Sequence, residues 1–367
     1  MKITKLETFL VAPRWLFLRV HTDEGIVGLG EPYLEGRATT SAEAVRELED
    51  YLIGQDPRRI IHHWEAMYRQ PCYHGGAIMM SAISGVEIAL WDILGKSVGL
   101  PVWQLLGGRA RDRIRLYKGG GSIEQIKTDV ARGFKGFKIG LPGEDRPRIH
   151  ATKEFIDTAV STLGEIRDAV GPSIDIAVDL HGAFLPAAAV PIIKALEPLH
   201  PAWIEDPCQC ENYDEMARIA QGTSIPIAAG ERVFTRWAFR ELLERGAAKI
   251  LNPDPSHVGG IFETRFIAAM AEMHYAGVAP HCPLGPIALA ACLQLDAMMP
   301  NFVSQEHVTL GQGYLKEPFV PVDGYLPIPD KPGLGIELDD EAIADKIGAI
   351  FRPQAPLHPE DGTVIDW

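Results

Sequence analysis

Residues 176–179 read Ile-Ala-Val-Asp, residues 203–207 read Trp-Ile-Glu-Asp-Pro and residues 228–232 read Ala-Ala-Gly-Glu-Arg. Each is a short apolar run closed by a carboxylate, the pattern of a buried parallel strand handing over to a loop. The pattern recurs along the chain. Polar residues closing successive runs are Asp179, Glu205, Glu231, Asp254, His281 and Glu306, at intervals of 26, 26, 23, 27 and 25 residues. An interval of that length holds one strand, one helix and their loops. Runs ending at Lys118 and Lys138 supply two further strands, so eight βα units fit before a tail that starts near Tyr314. The expected fold is α/β, a (β/α)-barrel of modified TIM type over residues 113–313. The competing architecture, a doubly wound open sheet, wants a glycine-rich phosphate turn after its first strand. Gly119-Gly120-Gly121-Ser122 does not match GxGxxG.

N-terminal to the repeat the texture differs. Extended segments at 3–11, 15–21 and 26–30, the last two joined by the polar turn Thr22-Asp23-Glu24-Gly25, read as an antiparallel meander. Helical periodicity follows around Ile83, Val86, Leu90, Ile93 and Leu94 and stops between Gly95 and Pro101. Residues 1–112 are therefore expected to form an α+β capping domain joined to the barrel near Trp103–Gly108, with residues 314–367 as a C-terminal segment packing against it. No Gly/Ser linker separates these parts, so a packed interface is expected.

The 35 basic and 49 acidic residues give a net charge of −14. Lys and Arg are scattered, so no basic footprint for nucleic acid is expected. Residues 1–7 carry no apolar leader and no apolar run reaches membrane-spanning length, which makes the cytoplasm the expected location and a membrane partner unexpected. The five cysteines contain no CxxC pair and read as reduced thiols.

In a closed parallel barrel the side chains at the C-terminal strand ends converge. Neighbouring strands lie roughly 4.7–4.9 Å apart, so Asp179, Glu205 and Glu231 are close enough to share one hard cation. An all-oxygen donor set favours Mg²⁺ over Zn²⁺. A lone strand-end carboxylate is more often a solvated residue or a helix cap; three at one spacing are not. Asp254 and His281 close the next two runs, and an Asp beside a His fixes the imidazole tautomer and raises its basicity, as a base that abstracts a proton from carbon requires. His181, two residues beyond Asp179, is placed by strand alternation on the metal side as a general acid, with a structural loop histidine as the bland reading. Glu306 and Lys138 can pair with a substrate carboxylate and its enolate, although Lys138 could equally be a snorkelling surface residue. Together these groups describe proton abstraction next to a carboxylate followed by loss of a hydroxyl, giving a 2-keto-3-deoxy acid.

These residues resemble the enolase superfamily and, within it, the mandelate racemase subgroup, most closely the branch of sugar-acid dehydratases acting on D-galactonate. The similarity runs from Pro13-Arg14-Trp15 and Gly30-Glu31-Pro32 through Ala89-Leu90-Trp91-Asp92 and Gly230-Glu231-Arg232 to the long run Ala279–Leu289. The resemblance implies an enolase-type barrel, one Mg²⁺ on Asp179, Glu205 and Glu231, His281 with Asp254 as base, His181 as acid, and Glu306 as carboxylate partner. It also implies an acid-sugar substrate, a capping domain that selects it through Trp15, Tyr73 and His74, and a homo-oligomer, octamers being frequent in the family. At the second strand this chain departs from it. Racemases of the subgroup carry Lys-x-Lys and galactonate dehydratases Lys-x-Asn, where this chain has Lys138-Ile139-Gly140. With no second base there, racemisation or epimerisation is disfavoured, and another aldonate or an aldarate becomes an alternative substrate. Leu141–Arg146 departs too. A barrel that binds without catalysis is the remaining alternative, disfavoured because a scaffold has no use for converging like charges.

Overall fold

The computed structural model describes residues 1–70, 72–141, 149–355, 357–358 and 361–364; Pro142–Arg146 of the departing segment lie outside them. Strands β1 (Ile3–Val11), β2 (Trp15–Thr22) and β3 (Val27–Gly30) form the antiparallel meander. Helices α1 (Ala38–Leu52), α2 (Ile60–Arg69) and α3 (Ala77–Val98) follow, and the short α4 (Val102–Leu105) leads into the barrel.

Helix α3 corrects one expectation: its 22 residues are long and apolar enough, by length and composition, to cross a membrane. Glu87 and Asp92 interrupt the apolar run, so an apolar-run reading does not register that length. In the fold the helix is a core element, packed against β3, α1 and α2, and Glu87 and Asp92 on it are fully buried.

Eight strands run parallel: β4 (Arg113–Gly119), β5 (Gly136–Gly140), β6 (Asp175–Asp179), β7 (Ile204–Glu205), β8 (Ile227–Ala229), β9 (Ile250–Leu251), β10 (Gly277–Val278) and β11 (Gln305–His307). Each neighbours the next in sequence from β4 to β10, β11 returns to pair with β4, and a parallel bridge from Val278 to Phe302 links the two ends. A further strand, β12 (Tyr325–Pro327), pairs antiparallel with β4. Between the strands lie α5 (Ile123–Ala131), α6 (Lys153–Val170), α7 (Pro186–Leu196), α8 (Tyr213–Gln221), α9 (Thr235–Glu244), α10 (Gly260–Met273) and α11 (Pro286–Met298). The Gly119–Ser122 turn starts α5, with the Ser122 hydroxyl accepting from Gln125 N.

Strand alternation assigns each residue its side. Phe137, Ile139, Ile176, Val178, Ile204, Ile227 and Leu251 face the helices. Tyr117, Ala177, Trp203, Ala228, Ile250 and Ala279 fill the barrel interior. Three alanines there leave room for Tyr117 and Trp203, which meet edge to face at 5.5 Å and form the floor beneath the strand ends.

Buried carboxylates join the N-terminal elements to the barrel. Glu31 accepts from Gly285 N and Ala288 N at the start of α11, and Glu87 accepts from Ile261 N and Phe262 N at the start of α10. Each satisfies helix-end donors that would otherwise be buried unpaired. The tail lies along the same region: Lys346 O accepts from Ala12 N, and Asp92 accepts from Leu334 N.

Candidate active site

Alternation that puts Ala177 inward also puts Asp179 inward. The same parity carries Trp203 to Glu205, Ile250 through Asn252 to Asp254, and Ala279 to His281. Lys138 is inward on β5, between Phe137 and Ile139 of the helix-facing side. Glu231 is the exception. It lies two residues past β8, and by parity with Ala228 it would face the helices. Gly230 has φ +148°, and a Cβ there would sit 2.9 Å from the backbone of Asn252. A glycine turns the chain and brings Glu231 in. Asp254 and His281 also lie beyond their strands, β9 ending at Leu251 and β10 at Val278. Pro253 has no N–H for the ladder, and its carbonyl instead accepts from His281 N, which joins the two loops.

Oxygens of Asp179, Glu205 and Glu231 all come within 4.8 Å of one another. Lys138 Nζ lies among the carboxylates, 3.1 Å from Asp179 Oδ2, 2.5 Å from Glu205 Oε1 and 2.9 Å from Glu306 Oε1. Its side chain is 10% exposed, so it does not snorkel. The second Glu306 oxygen accepts from Cys282 N at 2.9 Å. His281 Nδ1 is 2.9 Å from Asp254 Oδ2, and its Nε2 is 3.3 Å from Glu231 Oε2. His181 adopts φ +50°, so a left-handed turn and not continued strand alternation sets its position; its N–H donates to Asp179 Oδ1 and its Nε2 is 3.4 Å from Oδ2.

The cluster is short of positive charge. Burial, with the neighbouring carboxylates, pushes Glu205 up to about 8 against the pull of Lys138. Burial also opposes ionisation of Asp179, but there Lys138 and His181 prevail and hold the carboxyl below its ordinary value. Burial would lower the His281 imidazole; Glu231, Asp254 and Glu306 outweigh it and raise it to about 10. Oxygen-only donors, mutual proximity and a surplus of negative charge fit a hard divalent cation held by Asp179, Glu205 and Glu231.

Several residues of the site escaped the sequence reading. Trp203 Nε1 donates to Glu205 Oε2 at 2.9 Å, and the period-two spacing of the two residues was the available signal. Arg232 grips Asp206 Oδ2 through Nε and Nη2 at 3.2 and 2.9 Å, tying the loops of Glu231 and Glu205 together. Arg14 donates to Pro283 O at 2.8 Å and pairs with Glu35, which brings the meander turn to the loop of His281. Of the expected substrate contacts, Trp15 is 4% exposed and packs edge-on against Tyr33. Tyr73 is 91% exposed, and the exposed His74 lies against Tyr68. Among the described residues, none beyond its chain neighbours lies within 4 Å of a Cβ placed on Gly140, two positions past Lys138 on β5.

Two family models match the chain: the mandelate racemase/muconate lactonizing enzyme N-terminal domain over residues 8–107 and the enolase C-terminal domain-like model over residues 122–342. D-galactonate dehydratases of Variovorax paradoxus and Cronobacter sakazakii are 45% and 46% identical to it, each alignment covering 100% of both chains. Among solved structures, an enolase from Agrobacterium radiobacter, provisionally assigned as a galactarate dehydratase and bound to sodium and L-malate, superposes with a TM-score of 0.92. It is 31% identical, and the match covers 100% of both chains. A mandelate racemase/muconate lactonizing enzyme from Jannaschia sp. gives a TM-score of 0.90 at 32% identity, covering 96% of this chain and 99% of that one. The chain is a member of the mandelate racemase/muconate lactonizing enzyme family of the enolase superfamily.

Proposed function

We propose that the protein is a Mg²⁺-dependent dehydratase of a sugar acid, D-galactonate or a related aldonate. The observation that carries this reading is the placement of His281, with Nδ1 on Asp254 at 2.9 Å and Nε2 3.3 Å from Glu231 of the acidic triad. A base so held stands beside the point where a substrate carboxylate would approach the cation. Full-length identity of 45–46% to proteins named D-galactonate dehydratase supports the substrate class.

A cation on Asp179, Glu205 and Glu231 supplies Lewis acidity toward the substrate carboxylate and offsets the charge of the enolate. Asp254 holds a proton on His281 Nδ1; burial would lower this imidazole but the charge of Glu231 raises it, and with that charge offset by a cation on Glu231, Nε2 is left to take the α-proton. Lys138 and Glu306 flank the substrate carboxylate. His181, on the turn after β6, protonates the β-hydroxyl, which leaves as water, and the enol product tautomerises, C3 gaining a proton as the C2 hydroxyl releases one, to give the 2-keto-3-deoxy acid. The missing side chain at Gly140, where galactonate dehydratases carry the Asn of Lys-x-Asn, favours a second reading within the same mechanism, a different aldonate or an aldarate. A symmetric homo-oligomer belongs to the proposal and is checked by light scattering.

The test is turnover of an acid-sugar panel, with 2-keto acids detected in the presence of Mg²⁺ and after chelation. The expected result is Mg²⁺-dependent 2-keto acid from galactonate or another aldonate. Absence of product from every acid sugar, by folded protein that binds the cation, would overturn the reading.

A further inference from the structure

The loop after β9 doubles back on itself. Asp254 O accepts from His257 N and Val258 N at 2.9 Å each, a single turn that folds the His257 side chain over Asp254. One Asp254 oxygen, Oδ1, is taken by Ser256 N at 2.8 Å. The other, Oδ2, faces two imidazoles: His281 Nδ1 at 2.9 Å and His257 Nε2 at 3.6 Å. The far nitrogen of His257 is 2.9 Å from Ser81 Oγ in the first turns of α3. Ser81 is fully buried and His257 is 6% exposed, so water does not satisfy these groups. Two further contacts hold the same loop to the N-terminal helices: Gly259 N donates to Ser84 Oγ, and Trp64 Nε1 donates to Gly259 O, both at 2.8 Å.

The tautomer follows from the partners. A carboxylate oxygen accepts, which favours the proton on the nitrogen facing Asp254; the Ser81 hydroxyl, which also donates to Ala77 O at 2.8 Å, is then shared between that carbonyl and His257 Nδ1. Asp254 Oδ2 is hydrogen-bonded to His281 at 2.9 Å and lies in electrostatic contact with the His257 ring at 3.6 Å, so it is confined between the two imidazoles. Rotation of the carboxyl about its own axis would break its hydrogen bond to Ser256 and its contact with His257 together.

We propose that His257, oriented by Ser81, is a positioning residue for the general base: it fixes the rotation of Asp254 and thereby the tautomer and aim of His281. This deepens the dehydratase reading and rests on it for the role of His281. It makes the N-terminal helices part of the proton-transfer apparatus, because Ser81 and Ser84 of α3 and Trp64 of α2 hold the loop that carries Asp254.

The experiment has two arms. In protein without substrate, the proton on His281 Nδ1 is followed by NMR, identified by its loss in His281→Asn. His257→Gln keeps an N–H near the position of Nε2, His257→Leu removes it, and Ser81→Ala frees the ring. The resonance is expected to persist in His257→Gln and to broaden or disappear in His257→Leu. In the second arm, with the acid sugar turned over by the wild type, kcat is expected to fall about 10- to 100-fold in His257→Leu. KM is expected to hold within about twofold, because substrate binding is untouched. His257→Gln recovers most of the loss, and Ser81→Ala falls between. An unchanged Nδ1–H signal in folded His257→Leu, or equal impairment of the Gln and Leu variants, would overturn the proposal. If His257→Leu does not fold, undiminished kcat and an unchanged signal in Ser81→Ala overturn it. Lack of turnover by the wild type beside the expected NMR changes would count against the dehydratase reading while leaving the positioning role intact.

Discussion

Glu31 Oε1 accepts a hydrogen bond from Gly285 N at 2.7 Å, so the residue directly after β3 caps the barrel helix that begins five positions past His281. Its other oxygen takes Ala288 N at 3.0 Å, and Glu31 is fully buried. Glu31→Ala leaves two buried helix-end donors unpaired, with an expected loss of about 2–4 kcal/mol of unfolding free energy. Urea melts measure it. Because the capped helix follows the His281 loop, kcat is expected to fall as well; an undisturbed midpoint would show that the cap contributes nothing.

The eight-strand repeat and the inward set of residues were legible because both depend on periods, 23–27 residues for the units and two for the strands. Asp179 and Glu205 obey the second period, and so do Asp254 and His281. Glu231 was found by its interval although its phase is wrong; the glycine before it supplies the turn, and the Gly230-Glu231 pair carried that signal in plain view. Arg14, Glu31 and His257 were not legible in their roles. Each acts through a contact with a partner about 175 or more residues away in the chain, and no local period encodes such a contact.

The two histidines are predicted to separate the two half-reactions. His281→Asn is expected to abolish exchange of the substrate α-proton with deuterated solvent. His181→Asn is expected to retain exchange while losing elimination, by about 100-fold or more. Mass spectrometry of recovered substrate reads the first and 2-keto acid formation the second. Equal loss of both activities in both variants would contradict the division of roles.

Gly140 is predicted to tolerate a side chain and to use the space for selection. Its φ is not in the left-handed region and a Cβ meets none of the described residues, so Gly140→Asn should change stability by no more than about 0.5 kcal/mol. The ratio of kcat/KM between two acid sugars should shift by about 10-fold or more, as expected where a polar group enters a binding site. Unchanged ratios across the panel would mean that the opening does not contact substrate.

His307 predicts a pH dependence of stability. Burial, with Lys118 nearby, lowers its imidazole from 6.5 to about 4. Between those values the unfolded chain binds the proton and the folded chain does not. Its contribution is therefore present above pH 6.5 and lost as pH falls toward 4, by about 2 kcal/mol between pH 7 and pH 5. Urea midpoints at the two pH values, compared with His307→Gln, isolate it; an identical pH slope in the variant would contradict the assignment.

Convergence of Asp179, Glu205 and Glu231 on one divalent ion is tested most directly by titrating Mn²⁺, a spectroscopic substitute for Mg²⁺, into the protein and counting bound ions by electron paramagnetic resonance. One tight site per chain is predicted, weakened by at least about 100-fold in each of Asp179→Asn, Glu205→Gln and Glu231→Gln, beyond the usual effect of changing a group outside the ligand shell. Equal affinity in the wild type and all three folded variants would contradict the account.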